Sequence, residues 1–493
     1  MATPLLAGTT DQVADLIDQL DTCARGLHQA RLDLDDHAAY CRSRALPVDE
    51  PVVGHLRDSV RYVADRIAER RGDLVAAALP GEGELSSGEA LLRCGLATLA
   101  YVRDALEWCS ASYAQSGAVQ FFGLGAQDSP RVNYERYEHT AVRQVEDQLL
   151  GVLGLRPEEH GLSTTSSGVA AYTLVESFLL RERLRPGDTV LVAPYIYFEA
   201  AEQLSTLPPF VDVRWATGYS VDELVADVLR HRPRCLFADP LANTAQQRMV
   251  DLGALAERLR SAVTWPITLV VDGTMVSGML PPALLSGDDT VEIVYYESCS
   301  KYLQLGLDSN MAGLVAYPAH LRERFELLRR NSGSILYRHA ADMFPRYERA
   351  AYRRRMTRIG ANAGRAAALL RADPRVRAAG QVFHPTLPGH PDAEVARRLP
   401  YAGGCVTFLF HEPERNTRDE LNALIDRAIG GAAAAGAQLT KGASFGFSAP
   451  RLSAADAFAE GEPPFLRLYA GDRGGQIASL AEIIARALSE HLG

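Results

Sequence analysis

Lys301 is one of only two lysines, with Lys441, in a chain of 493 residues that carries 49 arginines. Arginine replaces lysine well on a solvated surface, but its guanidinium stays protonated and cannot form an imine. A lysine kept at the end of the apolar run "VEIVYYES", just after the hydroxyls of Ser298 and Ser300, therefore points to amine chemistry. Two more stretches carry groups of the same interest. In "STTSSGVAAYTLVESFLL" (163–180), Ser166, Ser167 and Gly168 open a helical pattern, where free backbone amides and small side chains suit a phosphate. "VVDGTM" puts Asp272 at the tip of a buried apolar run. Each has a plain alternative: Ser167 as a helix N-cap, Asp272 as the cap of the next helix, and Lys301 as a surface residue.

Taken in chain order, a phosphate cradle, a strand-end carboxylate and a strand-end amine are what pyridoxal 5′-phosphate (PLP) requires. The phosphate is anchored, the ring nitrogen is kept protonated, and the amine joins the aldehyde carbon. The elements around these groups read as follows. From residue 10 to about 115, apolar residues recur at spacings of three and four, which predicts an all-helical segment. After the break "GLGAQDSPRVN" (123–133), short apolar runs alternate with helical patterns. The strand candidates are "DTVLVAPYIYF", "VDVRWA", "RCLFADP", "ITLVVDGT", "VEIVYYES" and "MAGLVAYP", with helices such as "GVAAYTLVESFLLRERL" and "DLGALAERLRSAV" between them. That alternation predicts an α/β fold with a mostly parallel sheet, and ligands in such sheets bind at the carboxyl ends of the strands. A long helix around "YERAAYRRRMTRIGANAGRAAALLRADP" leads to a third region with strands at "GGCVTFLF", "GAQLTKGASFGF" and "PFLRLYAG" and a closing helix at "QIASLAEIIARALSEHL". The expected division is a helical N-terminal extension over 1–125, a large α/β domain over 126–335 and a C-terminal α+β domain over 336–493.

A hydrophobic content of 47% supports a large core, and a net charge of −10 argues against nucleic acid or an anionic membrane as partner. A small-molecule ligand is expected instead. The absence of a long apolar run or a basic leader, and seven cysteines with no CxxC pair, suggest a soluble protein of the reducing cytoplasm with no metal site.

From about residue 130 onward the chain resembles the Cys/Met-metabolism family of fold-type-I PLP enzymes, the cystathionine γ-synthase and methionine γ-lyase group. "YERYEHTAVRQVEDQLLGVLG" resembles the family's YxRxxNPTxxxLExxLAxLEG, "TSSGVAA" its SSGMAA, "VDGT" its VDNT and "ESCSKY" its HSxTKY. Further on, "RADPRVRAAGQVFHPTLPGHPDAEVARR", "GGCVTF", "ASFGF" and "LRLYAG" resemble its HPxVxxVxYPGLxxHPxxxxAxR, GGMxSF, SLGG and LRLSVG. The resemblance implies an aspartate aminotransferase-like PLP-transferase fold and PLP as cofactor. It makes Lys301 the Schiff-base lysine and Asp272 the partner of the ring nitrogen. Ser167, Gly168, Val169, Thr274, Ser298 and Ser300 become cofactor contacts, and Arg467 with Ser444 becomes the site of the substrate α-carboxylate. Tyr134 and Arg136 would reach the neighbouring subunit's cofactor phosphate, so a homo-oligomer, dimer or tetramer, with shared active sites is implied.

The chain departs from the family on the substrate side. YGGT becomes "YIYFEA", which places the ring-stacking tyrosine at Tyr197 in preference to Tyr195. ExPSNP becomes "ADPLANT", with Asn243 as partner of the ring hydroxyl, and the asparagine of VDNT becomes Gly273. The implied reaction is γ-elimination or γ-replacement on a specialised amino acid with a C4 leaving group, with β-elimination and transamination left open. A rival reading takes "SCSK" as the SxxK motif of a serine acyl-transfer enzyme, with "DSN" and "TKG" imitating its partner motifs; a catalytically idle PLP-fold protein is another. The N-terminal helices are expected to stabilise an oligomer rather than to shape the site.

Overall fold

The computed structural model describes residues 4–43, 45, 47–77, 80–106, 139–459 and 461–492. Tyr134 and Arg136 lie outside these residues.

One compact unit comprises Leu150–Gly306, Gly313–Ser334 and Arg349–Gly493. Its larger sheet has seven strands: β1 His160–Thr165, β2 Thr189–Val192, β3 Asp212–Trp215, β4 Cys235–Ala238, β5 Ile267–Asp272, β6 Val291–Ser298 and β7 Gly313–Pro318. They are ordered β1-β7-β6-β5-β4-β2-β3, with β6 to β3 parallel and β7 antiparallel to both β6 and β1. The inner parallel strands β2, β4 and β5 are short, largely buried apolar runs because helices cover both faces, whereas the edge strand β3 leaves Arg214 and Trp215 exposed. Alternation along β6 then sorts its last residues. Tyr296 and Ser298 face the helix Gly168–Phe178, whose Tyr172 meets Tyr296 edge-on at 5.8 Å. Tyr295 and Glu297 point to the opposite face, where Tyr352 of the helix Arg349–Ala372 lies.

A second sheet of five strands holds β8 Gly380–Phe383, β9 Cys405–Phe410, β10 Thr440–Lys441, β11 Arg451–Ala455 and β12 Phe465–Tyr469, in the order β10-β11-β12-β9-β8. Leu421, Leu424, Ile425 and Ala428 of the helix Arg418–Ala434, and Leu480 and Ile484 of the helix Ile477–Leu492, bury against Phe408, Leu466 and Leu468. This small apolar core fixes β12, which carries Arg467 opposite Thr407 of β9 and Ser453 of β11.

The other unit comprises Met1–Leu149, Leu307–Ala312 and Ile335–Glu348. The helices Pro4–Ser43, Glu50–Ala76 and Glu82–Leu106 pack through Leu20, Leu27, Leu34, Val60, Ile67, Leu92 and Leu96, and Leu307 is buried in the same cluster. Gly95 permits the close approach: a Cβ there would lie 2.5 Å from the Cys23 sulfur. Arg103 pairs with Asp342 at 2.5 Å, and Arg338 and His339 both meet Asp104, at 2.6 and 2.8 Å. No helix among the described residues is long and apolar enough to cross a membrane.

Candidate active site

Four parallel strands deliver polar groups at one edge of the large sheet. Tyr195 and Tyr197 follow β2, Asp239 and Asn243 follow β4, Asp272 ends β5, and Ser298 ends β6 with Ser300 and Lys301 just beyond. The helix beginning at Gly168 follows β1, which runs antiparallel to β7, and enters the same edge.

Ser167 caps that helix, its Oγ accepting from the Ala170 amide at 3.0 Å. Capping therefore accounts for one function of Ser167, but the cradle has a further constraint. A Cβ on Gly168 would lie 2.6 Å from the Ser298 Cβ, so only glycine lets the helix start rest directly on Ser298. Thr274 Oγ1 accepts from the Ser298 amide at 3.0 Å, which joins β5, β6 and the helix start into one continuous surface of amides and hydroxyls. Val169, exposed by 37%, continues it.

Asp272 is buried, and its Oδ1 accepts from the Thr274 amide at 2.9 Å. Burial raises its pKa, against the lowering effect of hydrogen bonds from Thr274 and Tyr296. Behind it stands a second carboxyl, Asp239, pushed well above its ordinary value first by burial and then by the charge of Asp272; it accepts from the Tyr197 backbone amide. Hydrogen bonds from Thr274 and Tyr296 favour the ionised form of Asp272, whereas burial and the charge of Asp272 favour the protonated form of Asp239. Tyr195 is buried among Asp239, Asp272 and Arg467, whereas Tyr197 is 37% exposed. Of these two rings, Tyr197 is the more exposed.

Lys301 Nζ donates to Ser444 Oγ at 2.9 Å and lies 5.5 Å from the centre of the Phe445 ring. Gly446, with φ +101°, makes this possible: a Cβ there would fall 2.4 Å from the Lys301 carbonyl carbon. Arg355 holds the loop from behind, donating to the Gly446 carbonyl at 2.8 Å while paired with buried Asp472 at 3.1 Å. Arg467 is buried and donates to Asn243 Oδ1 at 2.9 Å, to Ser453 Oγ at 3.3 Å and to the Ala443 carbonyl, with its guanidinium 5.6 Å from the Phe445 ring centre. The stretch Ala443–Phe445 thus touches both the amine and the guanidinium. Lys441, in contrast, is an exposed residue paired with Asp426 at 2.8 Å. Ser298 ends a strand rather than opening a helix, which does not suit an SxxK nucleophile.

Under the site, Tyr295 donates to Glu297, Ser277 Oγ donates to Glu297 at 3.0 Å, and Tyr352 meets Ser277 at 2.7 Å. Tyr295 explains Gly273: a Cβ at 273 would lie 2.0 Å from its hydroxyl, so no asparagine fits. Burial pushes the Glu297 carboxyl up to about 8. A carboxyl with a raised folded pKa stabilises the protein while protonated, and that stability is lost as pH rises from the ordinary carboxylate range through the raised value. The melting temperature is therefore expected to fall between about pH 5 and pH 9, and Glu297→Gln, which cannot ionise, to flatten the fall. An equal slope in both proteins would contradict this assignment.

A family model described as Cys/Met metabolism PLP-dependent enzyme matches residues 105–429. The chain belongs to this family. The bifunctional enzyme flvA of Aspergillus flavus is 34% identical over 382 residues, covering 77% of this chain and 45% of that protein. The cystathionine γ-synthase of Mycobacterium tuberculosis is 29% identical over 265 residues, covering 52% of this chain and 62% of that enzyme. The chain thus spans about half of the length of the one relative and under two thirds of the other. Among solved structures, a methionine γ-lyase from Micromonospora echinospora shares the fold at 24% identity and a TM-score of 0.59, covering 74% of this chain and 90% of that one. A cystathionine γ-synthase from Xanthomonas oryzae pv. oryzae does so at 21% and 0.60, covering 75% and 90%. The family's cofactor is PLP, and the fold is the type-I PLP-enzyme fold expected from the sequence.

Asp239 and Glu297 were not singled out in the sequence. Asp239 carries the same signal as Asp272, an acid at the tip of an apolar strand. Glu297 stands openly inside "ESCSKY", but an acid there signals a buried network only once Tyr295 is seen to fill the room beside Gly273.

Proposed function

We propose that this chain catalyses γ-elimination or γ-replacement on an amino acid bearing a C4 leaving group such as a thiol, sulfonium, ester or halide, in specialised amino-acid metabolism. The observation that carries the reading is the stretch Ala443–Phe445, where Ser444 Oγ accepts from the Lys301 amine and the Ala443 carbonyl accepts from the Arg467 guanidinium. An amine and a guanidinium that converge on one loop suit an α-amino acid, whose carboxylate the guanidinium would hold. Support for chemistry at C4 comes from the family and from relatives named cystathionine γ-synthase and methionine γ-lyase.

The residues fit the cofactor: a helix start at Gly168 packed directly on Ser298, the hydroxyls of Ser298 and Thr274 beside it, a buried carboxylate and an amine. PLP, when bound, supplies an aldehyde that joins amines covalently and a ring that accepts electrons released from the substrate. Its phosphate would lie against Ser167, Gly168, Val169, Ser298 and Ser300. Asp272 would face the ring nitrogen, whose positive charge would hold the carboxyl ionised against the effect of burial. Asn243, its Oδ1 already turned to Arg467, leaves Nδ2 as the donor for the ring hydroxyl.

Arg467 would orient the substrate through its α-carboxylate, and that orientation would decide which bond at Cα breaks. Lys301 Nζ would take the proton from Cα and pass it on, and loss of a Cβ proton would then supply the electron pair that expels the substituent at C4. Tyr197, whose hydroxyl burial and Glu199 push up to about 12, stays protonated at neutral pH and can give a proton to the group leaving C4. Tyr134 and Arg136 would complete the phosphate site of a neighbouring subunit, which makes a dimer the smallest competent unit. We place the protein in the cytoplasm, a setting that suits seven cysteines without a CxxC pair.

Incubation with homoserine esters and S-alkyl homocysteines, with assay of the released carboxylic acid or thiol and of 2-oxobutyrate, tests the reading. Release from these C4 compounds is expected. Release from C3-substituted amino acids alone, or amino transfer alone, would replace it with β-elimination or transamination.

A further inference from the structure

A ladder of aromatic rings leads away from Tyr197 to the surface. The Phe198 ring centre lies 4.8 Å from that of Tyr197, and the Phe458 ring centre lies 4.8 Å from that of Phe198. Phe458 is 59% exposed, yet its backbone sits at φ +52°, a left-handed conformation unfavourable for a bulky side chain. The conformation is enforced. Asp456 Oδ1 accepts from the Phe458 amide at 2.8 Å, and the Arg418 guanidinium, itself 3.7 Å from Asp456, covers the ring at 5.1 Å. Ala455 and Ala457 of the same segment pack with Tyr195, Ala242 and Ala245, the neighbours of Tyr197 and Asn243. An exposed aromatic held in a strained backbone beside a reaction centre is the kind of outlier that argues for a role in binding. Phe198 also stands where the family pattern YGGT has its first glycine.

We propose that Tyr197, Phe198 and Phe458 form the wall that receives an apolar group, alkyl or aromatic, carried on the C4 side of the substrate. This rests on the reading of the site as an amino-acid site with chemistry at C4. The wall offers ring faces, and the charges next to it are engaged: Arg418 with Asp456, and Glu199 with the Tyr197 hydroxyl. A zwitterionic partner such as a second amino acid would lose water there without gaining a counter-ion. The apolar group could belong to the leaving group or to an incoming nucleophile, since both occupy the same side of C4.

The test uses the holoenzyme and unreactive amino acids of growing chain length: 2-aminobutyrate, norvaline, norleucine and 2-aminoheptanoate, titrated by the change in cofactor absorbance. Affinity is expected to rise about threefold to fourfold per added methylene in the natural protein. Phe458→Ala should remove most of that gain, and Phe458→Leu should keep part of it. No chain-length dependence in the natural protein, or an undiminished one in Phe458→Ala, would overturn the proposal. So would a loss of the oligomer in Phe458→Ala, which would make the ladder a subunit contact. These ligands carry no leaving group, so the result is independent of whether C4 compounds react. A second arm separates the two sources: a length dependence among S-alkyl homocysteines assigns the wall to the leaving group, and one among added alkanethiols assigns it to the nucleophile.

Discussion

Lys301→Ala is expected to retain its fold and to lose turnover by at least about ten-thousandfold, because one side chain supplies both the covalent amine and the proton carrier at Cα. Lys301→Arg should be no better, since a guanidinium neither forms an imine nor accepts a proton at neutral pH. Lys441 cannot substitute, being exposed and paired with Asp426 on the surface. The check is steady-state release of the leaving group, together with partial recovery on adding a small primary amine such as methylamine. Turnover of Lys301→Ala within tenfold of the natural protein would remove the chemical basis of the account.

Arg467→Ala carries the second large effect. A charge-assisted contact to a carboxylate contributes about 1.5 to 3 kcal/mol, so kcat/KM should fall by roughly ten- to one-hundred-fifty-fold. The loss should appear mainly in KM, with Arg467→Lys recovering part of it. Removing this side chain also strips Asn243 Oδ1 and the Ala443 carbonyl of their donor, so cofactor retention and melting temperature should both drop. Unchanged KM for the amino acid in a properly loaded Arg467→Ala protein would move the carboxylate site elsewhere.

The parts of this site that the sequence displayed are those whose chemistry is written into one short segment. "VVDGTM" and "VEIVYYESCSK" show an apolar strand that stops at a charge, and the structure has β5 ending on Asp272 and β6 ending on Ser298. What the sequence hid depends on contacts across long separations. β1, "HGLSTT", has no apolar run to announce it, because Ser163 is satisfied by the Tyr317 hydroxyl at 2.7 Å and the Thr164 carbonyl by Arg329 at 3.1 Å. β8, "GQVF", and β11, "RLSAA", are likewise short and hold too few large apolar residues to announce a strand.

"GAQLTKGASFGF" shows the opposite error: only Thr440–Lys441 is strand, and Gly446 then turns the rest onto Lys301. The replacement of the family asparagine by Gly273 looked like a change in the substrate site. It is a packing exchange, in which Tyr295 takes the room and hydrogen-bonds to Glu297 on the far face of the sheet. Phe198 is a substitution of another kind, since it adds a ring that is not buried and joins it to Phe458, more than 250 residues later.

Borohydride reduction of the purified protein, followed by peptide mapping, addresses the central claim most directly. With two lysines in the sequence the outcome has few branches. The account predicts the reduced pyridoxyl adduct on the peptide containing Lys301 and none on the peptide containing Lys441. An unmodified Lys301 peptide from a protein that is fully active would contradict it.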